Sequence, residues 1–177
     1  LDFGEGFVGY KPPLAKHEID GMKEKLGIKD KTLALNLLTP HNKWTTHSTW
    51  SDNLVMLTLG RGGPVIWISE TDAAKLDLKD NDWIEAVNMN GSTIARACVS
   101  QRIPEGAVYM YHNQGRTVNV PLSPTTGKRG GLHNSISRIC PKPTHMAGGY
   151  AQFSFALNYM GTIGANRDEF VLLRRLD

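Results

Sequence analysis

Two polar segments carry the side chains best suited to binding or catalysis, and each follows an apolar run. The first, TPHNKWTTHST at residues 39–49, contains His41 and His47 with a lysine, a tryptophan and five hydroxyl side chains. The second, YMYHNQGRT at residues 109–117, has His112 where its apolar run ends. Both continue from His-Asn through polar residues to a threonine. In a barrel with pseudo-twofold symmetry, such matched strand ends would face one ligand from two sides.

A third segment, KRGGLHNSISR at residues 128–138, has a similar character. Its glycine pair allows a close approach of the backbone, and His133, Asn134 and Ser135 offer donors and acceptors for the edge of a flat heterocycle. A surface loop is the alternative interpretation for this segment alone. Four histidines in such surroundings favour one shared polar site, formed by His41, His47, His112 and His133.

The spacing of these histidines does not favour a metal site. His41 and His47 are six residues apart, which is neither a helical pair nor a metalloprotease motif. No carboxylate stands beside them at metal-ligand spacing. A metal-dependent hydrolase built on the four histidines remains a weaker alternative, which predicts stoichiometric zinc. We therefore predict no metal ligand and no catalytic residue within this chain.

Phosphate binding has candidates in two glycine-arginine segments. Arg61 lies in Gly60–Gly63 and Arg116 lies in Gly115–Thr117, so backbone N–H groups and a guanidinium could meet phosphate oxygens. Tight turns with solvated arginines explain each segment equally well. The chain contains no G-x-G-x-x-G that opens a helix, no Walker motif and no G-x-S-x-G elbow.

The remaining reactive and aromatic residues are interpreted as structural. Cys98 lies within a predicted strand and Cys140 precedes a proline, so neither is favoured as a nucleophile. Trp67 and Trp83 are predicted to be core residues of strands. Trp44, surrounded by polar residues, is predicted to form a wall for a ring or a lid contact.

Composition indicates one ordinary domain. The 177 residues are 40% apolar and 21% charged, with a formal net charge of +3. That charge suits an anionic ligand and is too small to indicate nucleic acid. The two cysteines form no C-x-x-C pair, which disfavours a zinc site or an iron–sulfur cluster within this chain. Because the chain begins with Leu1, we expect it to be a part of a larger subunit.

Short apolar runs separated by turn residues predict a mainly β chain with short helices. Pro40 ends a buried strand at residues 32–38, Asn90-Gly91 is expected to form a hairpin turn, and Ser69 is a predicted helix N-cap. We expect a β-barrel with long loops at residues 32–177, preceded by an arm or linker at 1–31. Further predicted elements are a helix with Ile19, Met22 and Leu26 on one face, strands at 65–68, 107–112 and 168–175, and a loop at 113–149.

The sequence resembles a known family, the C-terminal domain of the catalytic alpha subunit of membrane-bound respiratory nitrate reductase. The wider family is that of the molybdopterin oxidoreductases. The resemblance runs from about Leu33 to the end of the chain, whereas the first thirty-odd residues are not matched. It rests on TPHNKWTTHSTW, LDLKDNDWIEAVNMNGSTIARACVSQRIPEGAVYMYH, RGGLHNSISRICPKPTHMAGGYA and NYMGTIGANRDEFVLLRR.

This resemblance implies a double-psi β-barrel that covers the guanine dinucleotide arms of a molybdenum bis(molybdopterin guanine dinucleotide) cofactor. Pro40 and His41 stand where the wider family often has Gly-Arg after a threonine. The resemblance implies that His41, His47, His112 and His133 lie near the pyranopterins, where imidazole donors would tune the potential of the metal. The implied cofactor-binding residues are Thr39, His41, Lys43, Trp44, His47, Ser48, Thr49, His112, Gln114, His133, Asn134 and Ser135.

The resemblance also implies partners and a location. The expected partners are the remaining alpha-subunit domains, an iron–sulfur beta subunit and a haem-containing membrane gamma subunit, with no nucleic acid. The iron–sulfur cluster of the alpha subunit would lie outside this chain, and the complex would sit at the cytoplasmic face of the bacterial inner membrane. The expected activity of the full subunit is the two-electron reduction of nitrate to nitrite. The alternatives are a nitrite oxidoreductase or another related molybdenum enzyme, or a stand-alone double-psi barrel that binds a ligand.

Overall fold

Six strands form a closed barrel in the computed structural model, which describes residues 19–51, 53–112, 131–136, 140–142, 152–154 and 169–176. The order around the barrel is β1-β5-β2-β4-β3-β8, and β6 and β7 form a separate antiparallel pair. The strands are β1 Leu33–Leu38, β2 Val65–Ile68, β3 Trp83–Asn88, β4 Gly91–Val99, β5 Ala107–Met110, β6 Cys140–Lys142, β7 Gln152–Ser154 and β8 Glu169–Arg175.

The strand pairing has an internal twofold relation. β1 pairs in parallel with β5, and β2 pairs in parallel with β4, whereas the other barrel pairs are antiparallel. A shift by three barrel strands along the chain exchanges β1 with β4, β2 with β5 and β3 with β8, and it returns the same order around the barrel. The fold is the predicted double-psi β-barrel.

Alternation along the strands builds the barrel core. Leu35 and Leu37 of β1 and Ile66 and Ile68 of β2 are fully buried, and they pack with inward residues from the other strands. The buried free thiol of Cys98 lies within β4, as predicted.

The two strand tryptophans lie outside this core, so their predicted placement is wrong. Trp67 is half-buried between the inward residues Ile66 and Ile68 and stacks on Tyr109 with ring centroids 5.4 Å apart. Trp83 is also half-buried, and the Arg96 guanidinium lies 5.0 Å from its ring centroid. Each indole therefore covers the outer surface of the barrel, because strand alternation gives the inward position to the neighbouring isoleucine.

Within the described part of the chain, three short α-helices are α1 Met22–Lys25, α2 Leu54–Leu59 and α3 Glu70–Lys75. The predicted first helix is interrupted, since Gly21 has φ 73° and lies at the N-cap of α1. Ile19 and Met22 pack against β3 and β8, whereas Leu26 is 43% exposed and does not share their buried face. None of the described helices has the length and apolar character needed to cross a bilayer. The domain boundary after residue 31 remains a prediction.

The β3–β4 hairpin differs from its predicted turn. Asn88 pairs with Gly91, so Met89 and Asn90 occupy the turn and Gly91 is the first residue of β4. Gly91 does not adopt a positive φ. An Asn-Gly sequence is a strong hairpin signal because it accepts positive φ. Here glycine is required instead because a carbonyl oxygen lies close to its Cα.

A buried carboxylate links helix α3 to the start of β5. Asp72 is only 1% exposed, and it accepts hydrogen bonds from Ser69 Oγ at 2.9 Å, Gly106 N at 2.8 Å and Lys75 Nζ at 2.9 Å. Ser69 Oγ in turn accepts from Asp72 N, which confirms the predicted N-cap. Burial alone would raise the pKa of Asp72, but the hydrogen bonds from Lys75, Gly106 and Ser69 together lower it.

We expect Asp72→Ala to lower the free energy of unfolding by about 1–3 kcal/mol, because it leaves the Gly106 N–H and the Ser69 hydroxyl without their acceptor. Chemical denaturation at neutral pH measures this change. Glu105→Ala is the matched control, since Glu105 also pairs with Lys75 but its side chain is 58% exposed. Its removal should change stability by less than about 0.5 kcal/mol. Equal effects of the two substitutions would contradict the structural role of Asp72.

Candidate functional site

The polar strand ends meet at one end of the barrel. Because β1 and β5 run in parallel, with Leu38 opposite Tyr109, the segments that follow these two strands leave the barrel at the same level. The backbone N–H of His112 then donates to the Pro40 carbonyl at 3.3 Å. His41 and His112 are consequently neighbours, and the expectation that they approach from two sides is corrected. The internal twofold of the barrel relates β1 to β4 and β5 to β2, so it does not relate these two ends.

Four imidazoles form a continuous group at this end. The ring centroids of His41 and His112 are 4.5 Å apart, and those of His47 and His112 are 4.7 Å apart. His41 and His47 are separated by 5.5 Å, and His133 lies 6.0 Å from His112. The prediction that the four histidines share one location is confirmed by these distances. The nitrogen ligand atoms of the first three come within 4.8 Å of one another, a proximity that sequence spacing did not reveal.

Hydrogen bonding determines the tautomers of two rings. His112 Nδ1 lies 3.0 Å from the Pro40 carbonyl oxygen, which can only accept, so Nδ1 is the donor. A neutral His112 then has its lone pair on Nε2, which accepts from His47 Nδ1 at 2.9 Å. The remaining nitrogen of a neutral His47, Nε2, is left as an acceptor. The strand end thus fixes His112, and His112 in turn orients His47.

A tight turn presents His47. Thr46 and Thr49 form an isolated bridge, with Thr49 N donating to Thr46 O at 2.9 Å. His47 itself has φ 50°, and its carbonyl accepts from Thr45 Oγ1 at 3.1 Å. The backbone hydrogen bond between Thr49 and Thr46 and the hydroxyl of Thr45 therefore close the turn on which the imidazole is held.

Burial keeps two of the four rings neutral. It lowers the pKa of His133 to about 4, and the nearby His112 contributes in the same direction. It also lowers the pKa of His112, against the hydrogen bond to Pro40, and His41 and His47 add to the lowering. The buried Nδ1 of His133 has no hydrogen-bond partner among the described residues. An unsatisfied buried nitrogen of this kind is costly, and it is typical of a group that meets a ligand.

The segment that carries His133 is held against the hairpin by two glycines. A Cβ at Gly91 would lie 2.3 Å from the Ser135 carbonyl oxygen, so no other residue fits there without displacement. A Cβ at Gly131, which has φ 102°, would lie 2.8 Å from Thr93 Oγ1. Of the predicted pair Gly130-Gly131, the close backbone approach is observed at Gly131, whereas Gly130 lies outside the described residues; Gly91 supplies the matching surface on β4.

Side chains complete the attachment of residues 131–136. Ile136 is fully buried in the barrel core, and its carbonyl accepts from Asn88 Nδ2 at 2.6 Å. Ser135 Oγ accepts from Leu132 N at 3.1 Å across the 3-10 helix His133–Ser135. Asn88, Gly91 and Thr93 were missed by sequence reasoning, because their signals were those of an ordinary hairpin.

An open pocket of about 360 Å³ adjoins the imidazoles. Trp44 is exposed in it, and Lys43 Nζ lies 4.6 Å from the indole centroid, which suits the predicted role as a wall. Trp50, exposed and with φ 63°, was missed in the sequence although it stands one residue beyond the polar segment. The pocket is lined by His41, Asn42, Lys43, Trp44, Thr45, Thr46, His47 and Trp50.

The other predicted residues are distributed around this group. Ser48 presents its carbonyl to Ser51 Oγ at 2.8 Å, within the same turn as Thr49. Thr39 precedes the Pro40 carbonyl that holds His112, and Asn134 and Ser135 adjoin His133. Gln114 lies outside the described residues, as do Arg116 and the rest of its glycine segment.

The other phosphate candidate is already paired. Arg61 Nη1 donates to both carboxylate oxygens of Asp80, at 2.9 and 3.1 Å. The hydrogen bond to Asp80 raises the pKa of Arg61, and its guanidinium carbon lies 5.9 Å from the Trp67 ring centroid. Arg61 therefore ties its glycine turn to the barrel surface and does not join the imidazole group.

Comparison with known proteins identifies relatives over nearly the whole chain. A family model described as "Molydopterin dinucleotide binding domain" matches residues 35–154. The chain is 56% identical to the respiratory nitrate reductase 2 alpha chain of Escherichia coli (strain K12), over 98% of this chain and 14% of that protein. It is 35% identical to the perchlorate reductase subunit alpha of Dechloromonas aromatica (strain RCB), over 95% of this chain and 16% of that protein.

These matches confirm the resemblance to nitrate reductase alpha chains. They extend into the first thirty residues, which the sequence analysis left unmatched, and the chain spans about one seventh of the length of these curated relatives. Among solved structures, the chain resembles acetylene hydratase from Pelobacter acetylenicus, with a TM-score of 0.48 and 20% identity, over 69% of this chain and 16% of that chain.

We expect Gly91→Ala to displace residues 131–136 and to lower the free energy of unfolding by about 1–3 kcal/mol through overpacking. The chemical shifts of the His133 imidazole and the denaturation midpoint measure both effects. Gly60→Ala is the matched control, since Gly60 also has a negative φ, −92°, and its added Cβ would lie 3.2 Å from a carbonyl oxygen. Unchanged His133 shifts in Gly91→Ala would contradict this attachment.

We expect the His133 imidazole to stay neutral down to pH values near 4, which NMR titration of its ring protons measures. The unfolded chain binds this proton near the ordinary pKa of about 6.5, so stability should fall as pH decreases from there toward 4. Below the folded pKa this contribution no longer changes. His133→Gln should remove this part of the pH dependence, and a ring that titrates near 6.5 would refute the prediction.

Proposed function

Because the chain belongs to the molybdopterin dinucleotide-binding domain family, we propose that it binds molybdenum bis(molybdopterin guanine dinucleotide). It does so as part of a nitrate reductase alpha subunit that reduces nitrate to nitrite with two electrons. The observation that carries this proposal is the group of four imidazoles, His41, His47, His112 and His133, at one end of the barrel. The 56% identity to a respiratory nitrate reductase alpha chain supports the substrate.

The residues present fit such a cofactor. A fused pterin and a guanine offer flat faces and edges of ring nitrogens and carbonyl oxygens. The buried Nδ1 of His133, without a partner among the described residues, is a group that such an edge would satisfy. The exposed indole of Trp44, in the pocket that His41 and His47 also line, offers a flat apolar face. When bound, the cofactor supplies the oxygen-transfer and electron-transfer chemistry, and this chain binds and orients it.

Each side chain has a definite part in that binding. His112, held by the Pro40 carbonyl, keeps His47 in a fixed orientation. His41 lies at the pocket that Trp44 lines. The proposed cofactor contacts are Thr39, His41, Lys43, Trp44, His47, Ser48, Thr49, His112, Gln114, His133, Asn134 and Ser135.

The site as a whole favours donor and acceptor recognition. Since burial keeps His112 and His133 neutral, they suit the polar edges of a heterocycle better than they suit phosphate. Cationic contacts to the pyrophosphates would come from groups such as Lys43. The aspartate that ligates molybdenum and the residues of an iron–sulfur cluster would belong to other parts of the subunit.

The proposal extends to the assembly. The partners are the remaining domains of the alpha subunit, an iron–sulfur beta subunit and a haem-containing membrane gamma subunit, at the cytoplasmic face of the bacterial inner membrane. The share of its relatives that the chain spans, 14% of a nitrate reductase alpha chain, supports a role as one domain among several.

A second candidate is a related molybdenum reductase with another oxyanion. The 35% identity to a perchlorate reductase subunit alpha favours considering it, and reversed nitrite oxidation uses the same cofactor. Nitrate ranks first because identity to the nitrate reductase alpha chains of Escherichia coli and Mycobacterium tuberculosis is higher, at 52–57%. Rates of the full enzyme with nitrate, perchlorate and nitrite separate these candidates, and release of guanine nucleotide from the purified subunit separates all of them from a barrel that binds a different ligand.

We expect His41→Ala, in the full subunit, to lower the reduction potential of molybdenum, and His47→Ala, which removes an acceptor, to raise it. A hydrogen-bond donor to the cofactor stabilises the more electron-rich state, and about 1 kcal/mol of net hydrogen bonding corresponds to about 40 mV for one electron. Redox titration of the molybdenum signal measures this shift.

Lys31→Ala is the control for that titration. Lys31 precedes β1, so it lies at the opposite end of the barrel, where it pairs with Asp77. It should leave the potential unchanged. If neither histidine substitution shifts the potential while molybdenum content stays normal, these histidines do not contact the cofactor.

A further inference from the structure

Beyond cofactor binding, we propose that His41, His47 and His112 bind one divalent transition-metal ion when the cofactor is absent. One nitrogen atom from each ring lies within 4.8 Å of the other two. Three neighbouring imidazoles, with no carboxylate in the group, match in ligand type the three-histidine set of zinc sites that keep a fourth position for water.

His112 is already oriented as a metal ligand. Its Nδ1 donates to the Pro40 carbonyl at 3.0 Å, which leaves the lone pair on Nε2. Metal-bound histidines almost always donate their other ring nitrogen in this way, which fixes the tautomer and the ring orientation. The Pro40 carbonyl thus serves as an outer-shell acceptor that exists before any metal arrives.

The distances require only small adjustments. His112 Nε2 and His47 Nδ1 are 2.9 Å apart. Two nitrogens on a tetrahedral zinc, each at about 2.0–2.1 Å, lie about 3.3 Å apart, so this pair needs to open by a few tenths of an ångström. His41 must move inward by more, and its exposed position allows that movement.

Metal binding moves one proton from Nδ1 to Nε2 of His47 and leaves the charge of the ligands unchanged. The ion takes the place of the proton between His47 Nδ1 and His112 Nε2, and that proton moves to His47 Nε2. All three ligands remain neutral imidazoles. Neutral imidazoles favour zinc, copper and nickel over magnesium and calcium, which prefer oxygen.

This site and the proposed cofactor contacts use the same nitrogens, so the two ligands exclude each other. The metal proposal stands on the mutual geometry of the three rings alone, and it would hold even if the barrel bound a different cofactor. Conversely, failure to bind metal would leave the proposed function intact.

The test is titration of the cofactor-free 177-residue chain with Zn²⁺ by isothermal calorimetry, with Co²⁺ absorption as a probe of geometry. We expect one Zn²⁺ per chain and the visible spectrum of tetrahedral Co²⁺. Loss of an outer-shell partner weakens metal binding by about 10- to 100-fold. Alanine at His41, His47 or His112 removes a direct ligand, so each substitution should weaken Zn²⁺ binding by at least that much. Glutamine variants of similar size, checked by circular dichroism, provide a second set if an alanine variant does not fold.

Asp77→Ala is the control for adventitious binding, since it removes an exposed carboxylate that pairs with Lys31 at the opposite end of the barrel. It should retain full Zn²⁺ affinity. The proposal is overturned if the unaltered chain binds no Zn²⁺. It is also overturned if affinity survives all three single substitutions, or if Asp77→Ala weakens it as much as they do.

Discussion

The parallel pairing of β1 with β5 is the constraint on which the site depends. Leu38 lies opposite Tyr109, so the segments that follow these strands begin at the same level of the barrel. Pro40, two residues after Leu38, and His112, three residues after Tyr109, are joined by both a backbone hydrogen bond and a ring hydrogen bond. A slip of one residue in this register would turn His112 away from Pro40. It would separate His41 and His47 from His112, whose ring orientation is fixed by the Pro40 carbonyl.

The β3–β4 hairpin supplies the second half of the site at the same end of the barrel. Gly91 and Gly131 remove the Cβ atoms that would keep the two backbones apart, and Ile136 enters the core beneath them. The imidazole of His133 is consequently carried by a segment attached to a strand that is not adjacent to β1 or β5. The barrel therefore assembles its four rings from three separate strand ends, which makes their arrangement a property of the closed sheet.

The sequence was informative where the physics is local. Pro40 marked the end of β1, and Ser69 was recognisable as a cap because its hydroxyl serves an N–H three residues away. The resemblance to a known family identified the barrel and the four histidines. The pairing of β1 with β5, about 70 residues apart in the chain, leaves no periodic signal in the sequence. His41 and His112 were therefore expected to face a ligand from two sides, whereas in the structure they are neighbours. The role of Gly91 was predicted wrongly for a related reason. Its local signal was that of a turn residue, whereas the feature that requires glycine is the close approach of the Ser135 carbonyl, 44 positions later in the chain.

The electrostatics of the site follow from the same enclosure. Four imidazoles this close would repel one another if protonated, and burial adds a desolvation cost for any charge. The outcome is a lowered pKa for His112 and His133, which favours their neutral forms with defined donors and acceptors. Such a group can bind the polar edge of a heterocycle or, through its lone pairs, a soft cation. Because both ligands would use the nitrogens of His47 and His112, which lie 2.9 Å apart, the choice between them is set by their relative affinities and concentrations.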